Sequence, residues 1–253
     1  MKRRAFILPL IAPFLLGASK PVLVPDVSAR SIEIRYSFSG AQLLLFGAIL
    51  YPGGKVPAEQ AHIAVVVKGP VQPIVVREKH KIAGIWMNAD SHRFRSAPSF
   101  YAIATSEPID KLVDERTAAI YELGLDNLQL SPGGGALPDK ERRFEKGLLD
   151  LRRGASLYSE NPKGVEISEG VLYRAQIMIP SQVPVGTYTA ETFLISDRRV
   201  VAAATREIEI GKSGFERYVA LAARRHSVLY GLAAMLLSLG LGYAAAWAFS
   251  RRS

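Results

Sequence analysis

From Val22 to Thr105 the apolar positions recur every second residue or in short unbroken runs, the signature of β-strands rather than helices. SIEIRYSF (31–38) alternates strictly, with Ile32, Ile34, Tyr36 and Phe38 on one face and Glu33, Arg35 and Ser37 on the other. AQLLLFGAIL (41–50) is continuously apolar, which predicts a strand covered on both faces, and YPGGK then turns the chain. HIAVVVKGP, QPIVVREKHKI, GIWMNADSHRF and SFYAIATS follow as short runs divided by Gly or Pro. This cadence fits a mainly β fold, an Ig-like sandwich, better than alternating βα units.

The period then lengthens. TSEPIDKLVDERTAAIYELG places Ile109, Leu112, Val113, Ile120 and Leu123 near helical spacing, with Ser106 as the expected cap and Gly124 as the expected stop. SPGGGALP (131–138) reads as a loop. DKERRFEKGLLDLRRG (139–154) reads as a helix with Phe144, Leu148 and Leu151 apolar, acids early and Arg152 and Arg153 late, as the helix dipole favours. Strands return in VEISEG, VLYRAQIMIP, GTYTAETFLISD and VVAAATREIEIG, the last two as a hairpin around Ser196-Asp197-Arg198. The body, 20–212, is therefore one β domain with a helical insert at about 106–154, or two β modules bridged by helices.

Two apolar segments flank this body. Ala5–Ala18 follows the basic Lys2-Arg3-Arg4 and precedes small residues, which predicts a signal peptide over 1–19 with the body on the periplasmic side. An uncleaved anchor is the alternative. At the other end Val228–Phe249 holds 22 residues without a charge, flanked by Arg224, Arg225 and by Arg251, Arg252. At 1.5 Å per residue a helix of that length reaches roughly 33 Å, so a single transmembrane helix over 228–249 is expected, with a cytoplasmic tail at 250–253. Ser213-Gly-Phe-Glu216 matches a capping box and predicts a juxtamembrane helix over 213–227. Ala234, Ser238, Gly242 and Ala246 recur every fourth residue, a small-residue stripe that could pack against a second membrane helix.

Charge alters this picture little. The chain carries +9 overall. Residues 1–19 hold +3 and 216–253 hold +4, whereas 20–215 has 24 Lys/Arg against 22 Asp/Glu. The basicity belongs to the targeting and flanking segments, and no nucleic-acid partner is expected. With no cysteine there is no disulfide framework and no thiol chemistry.

Candidate chemistry is sparse. None of His62, His80, His92 and His226 falls at metal-ligand spacing except the nonspecific pair Asp90 and His92. Neither G-x-S-x-G nor S-x-x-K occurs, and SPGGGALP lacks the GK[ST] of a phosphate loop. No catalytic set, metal or cofactor is expected. Arg77, Lys79 and Lys81 share one strand face and Arg93 and Arg95 another; if the strands pair around Gly84, a basic patch suited to a small anion results. A solvated strand face explains the same spacing.

VPDVSARSIEIRYSFSGAQLLLFGAILYPGG, AVVVKGP, RFRSAPSFYAIATS, ERTAAIYELGL and GTYTAETFLISD resemble a family of putative transmembrane proteins described from alphaproteobacteria. The resemblance spans nearly the whole chain and implies a Gram-negative inner-membrane protein, with members encoded near sulfite-exporter-like permeases. It brings no catalytic residues. The expected function is thus a non-enzymatic accessory of a membrane partner such as an anion exporter, with the lipid bilayer and self-association through the terminal helix as further contacts. Alternatives are a periplasmic small-anion binder and an enzyme with a carboxylate site.

Overall fold

In the computed structural model residues 21–34, 40–57, 61–134, 137–212, 219 and 223–250 are described. The expected signal peptide, most of the juxtamembrane segment and residues 251–253 lie outside them.

The described residues are mainly β and form three sheets. The first contains β1 (Val22–Val27), β3 (Ala41–Leu50), β11 (Leu172–Ile179) and β10 (Val165–Ser168), in the order β1-β3-β11-β10 and antiparallel throughout. The second runs β2-β13-β12-β4-β7-β9, from β2 (Ser31–Ile34), β13 (Arg199–Lys212), β12 (Gly186–Ser196), β4 (His62–Lys68), β7 (Tyr101–Thr105) and β9 (Tyr158–Pro162). Consecutive strands β1 and β2 join different sheets, so the first described residues tie the two layers together. Leu43, Leu45 and Ile49 of β3 and Tyr173, Ala175 and Ile177 of β11 share one core with Ile63–Val67, Tyr188 and Ile208 of the second sheet.

The burial pattern corrects one strand assignment. Strand β4, HIAVVVK, is covered on both faces: Ile63, Ala64, Val65, Val66 and Val67 are all fully buried. By contrast β3 buries alternate residues and leaves Phe46 and Leu50 exposed. Its continuous apolarity therefore does not mark two covered faces.

The helical stretch also departs from expectation. The predicted single helix is two short ones, α1 (Ile109–Leu112) and α2 (Glu115–Ile120). Asp114 caps α2 by accepting from Thr117 N at 2.7 Å, and hydrogen bonds from the Thr117 hydroxyl and from this N–H hold its carboxyl below the usual range. Ser106 is not the cap, because its hydroxyl accepts from Ile63 N instead. Gly124 sits past the helix at φ 99° and opens a turn of 3-10 helix, Leu125–Asn127. Tyr101 holds that turn: its hydroxyl donates to Glu122 O at 2.6 Å and accepts from Gly124 N at 3.0 Å. Lys68 bridges the same segment to β12 through Glu122 at 2.6 Å and Glu191 at 3.3 Å.

The third sheet is the part that the strand cadence does not announce as separate. Strands β5 (Val71–Ile82) and β6 (Ile85–Pro98) form a long hairpin, and Ser131–Pro132 of the expected loop adds a two-residue strand, β8, to its base. Helix α3 (Pro138–Gly154) lies against the hairpin, burying Phe144 and Leu148 with Val76, Phe94 and Ala97 in a small second core. Leu151, expected on its apolar face, is exposed.

The C-terminal segment is a helix, α4 (Ser227–Ser250), but the expected transmembrane helix is corrected. Among the described residues no helix is long and apolar enough to cross a membrane. Of the small-residue stripe, Ala234, Ser238 and Gly242 are exposed, and the side chain of Ala246 is outside the described set.

Candidate functional site

The hairpin β5–β6 is built by its turn. Ile82 pairs with Ile85, and Ala83 (φ 50°) and Gly84 (φ 86°) both take the left-handed conformation that a two-residue hairpin turn requires. Opposed residues in an antiparallel pair share a face, so the register sorts the side chains. Val75 faces Arg93, Arg77 faces Ser91, Lys79 faces Asn88 and Lys81 faces Trp86. A bulge between Glu78 and Lys79 absorbs Ala89 and keeps the rows aligned. Arg77, Lys79, Lys81, Arg93 and, by alternation, Arg95 therefore occupy one face, and all five are exposed.

The opposite face carries the acids. Glu78 and Asp90 are cross-strand partners turned toward α3. Lys140 contacts Asp90 at 2.5 Å, and Arg143 contacts Glu78 at 3.1 Å and Asp90 at 3.3 Å. The hydrogen bond from Lys140, joined by that from Ser91 N, holds the Asp90 carboxyl below the usual carboxylate range. The only described side-chain bond from the five cations is Arg95 Nε donating to Pro132 O at 3.2 Å. The hairpin's own acids thus face the helix, Glu78 lying also 3.5 Å from His80, and among the described residues no carboxylate contacts the five cations.

Beyond Glu78 the hairpin has no cover: residues 79–89 are all exposed. Four residues per strand at about 3.3 Å carry the tip roughly 13 Å past the last helix contact. The tip is apolar, with Ile82 49%, Ile85 67%, Trp86 67% and Met87 51% exposed. The sequence reading missed these four residues. Their signal is legible in hindsight: four large apolar side chains flank a turn, where polar residues are the rule.

The other sequence candidates fall elsewhere. Asp90 and His92 lie on one face, but Asp90 is engaged by Lys140, and His92 is buried against the rings of Phe94 and Phe144 at 4.9 and 5.8 Å. Among the described residues no group of three potential ligands could hold a metal. A cleft of about 340 Å³ beside the 3-10 turn is lined in part by Asp110, Asp126 and Glu160. Glu160 has a structural task there, accepting from Leu125 N at 2.5 Å.

The family model described as "Putative transmembrane protein (Alph_Pro_TM)" matches residues 22–251, nearly the whole chain. The chain belongs to that family. Membership places it among proteins described as transmembrane and agrees with the resemblance read from the sequence. No curated protein matches the chain.

Proposed function

We propose that the chain is a non-enzymatic interaction protein of the cell inner membrane. Its β body lies on the periplasmic side and presents the β5–β6 hairpin to a membrane component. The observation that carries this reading is the pairing, on one projecting element, of a basic face with an exposed apolar tip. Exposed apolar clusters of this kind mark interaction sites. The family description agrees with work at a membrane. Exporter-like permeases, implied by the family resemblance, are the candidate protein partners.

Extraction of the full chain in mild detergent tests the reading. A membrane component, protein or phospholipid, identified by mass, should co-purify with the wild type and be lost from Arg77→Glu/Lys79→Glu/Lys81→Glu. Recovery of the bare chain in both cases would count against it.

A second reading, small-anion binding, rests on the same five cations. They form an exposed face and not a pocket, so affinity would come from charge density alone. Calorimetry with sulfite, sulfate and phosphate tests it, and absence of heat at millimolar ligand would end it.

A further inference from the structure

We infer that the β5–β6 hairpin docks on an anionic phospholipid surface, with its tip entering the headgroup region. This inference rests on the reading that the hairpin engages a membrane component, and it names that component. The argument is charge and shape complementarity. Lys79, Lys81, Trp86 and Asn88 lie on one face of the tip, and Ile82, Ile85 and Met87, with His80 behind them, on the other. Arg77, Arg93 and Arg95 continue the basic row behind Lys79.

A bilayer boundary suits this order along the hairpin. Aliphatic side chains and an indole belong at and below the headgroups, where amphipathic rings concentrate. Lysine and arginine belong in the plane of the phosphates and just above it, and their long stems let the charged ends reach it. No carboxylate interrupts the row, because Glu78 and Asp90 are turned to Lys140 and Arg143. The hairpin is also braced: Phe144 and Leu148 of α3 pack its base through Val76 and Phe94, so the tip is held out by a small rigid core.

Trp86 provides the readout, because Trp247 is the chain's only other tryptophan and Trp247→Phe removes it. The full-length Trp247→Phe chain is placed in phosphatidylcholine vesicles with or without phosphatidylglycerol, and the phosphatidylglycerol carries brominated acyl chains. Trp86 emission should be quenched in the brominated mixture, and added salt should relieve the quenching. Each lysine removed should weaken docking about fivefold. Lys79→Gln/Lys81→Gln should then cut the quenching at low occupancy by more than tenfold, with no change in melting temperature because both side chains are exposed. Equal emission with brominated and unbrominated phosphatidylglycerol would overturn the inference. Equal quenching by brominated phosphatidylcholine alone would overturn the anionic requirement.

A photoreactive residue at position 86 in native membranes separates the two levels of the account. A phospholipid adduct supports the inference. An adduct with an identified membrane protein overturns it and leaves the broader reading standing. Absence of either adduct overturns both.

Discussion

At the scale of single residues, close approaches of backbone to backbone fix what the sequence can tolerate. Gly47 in β3 has no room for a side chain: an added Cβ would lie 2.5 Å from Val24 O, 2.7 Å from the Tyr173 hydroxyl and 2.9 Å from Pro25 Cα. Two of these three are backbone atoms of the neighbouring strand β1 and cannot swing aside. Gly47→Ala should cost about 1–3 kcal/mol, read as a lower urea midpoint with unchanged slope. Ala83 is the opposite case, a non-glycine residue held at φ 50° in the hairpin turn. Asparagine tolerates that region better than alanine, so Ala83→Asn should raise stability by roughly 0.5–1 kcal/mol in the same assay. Neither constraint is legible in the sequence. Gly47 sits inside an apolar run where periodicity says only "strand", and the carbonyl it faces belongs to a segment more than 20 residues away.

At the scale of elements, the attachment of the hairpin to α3 is electrostatic outside and apolar inside. Asp90 faces Lys140 and Arg143, with Glu78 and His92 on the same side. Its carboxyl titrates lower folded than unfolded, chiefly through the hydrogen bond from Lys140. A depressed carboxylate contributes stability that is complete above the unfolded value, near 3.9, and is lost as pH falls through the folded value. The stability difference between wild type and Asp90→Asn should therefore be full at pH 6 and vanish toward pH 2. A difference that does not change with pH would contradict the pairing.

Hairpins and α3 are legible from alternation, turn residues and the 3.6 period. What the sequence hides is where the acids go. Glu78 and Asp90, counted along the strand, look able to neutralise Arg77 and Lys79; the register sends them to the other face, where α3 claims them. The helix over 106–124 fails for a related reason. The hydroxyl of Ser106 is used by β4, and Asp114 restarts the helix.

At the scale of the whole molecule, the mainly β body was legible because strand alternation is a local property. The span expected over 228–249 is not met, because among the described residues no helix is long and apolar enough to cross a membrane. If the body lies on the periplasmic side, as proposed, a reporter active only in the periplasm works when fused after Lys212. A silent reporter, with the fusion intact on a blot, would place the body on the other side.

Oxidative footprinting of the full chain tests whether the hairpin tip engages a membrane component. Native membranes are compared with the same protein in non-ionic detergent. Trp86 and Met87 should oxidise several-fold more slowly in native membranes, while Met178, 62% exposed on the outer face of the first sheet, should oxidise equally in both. Trp86 and Met87 oxidising as readily in membranes as in detergent would contradict the account.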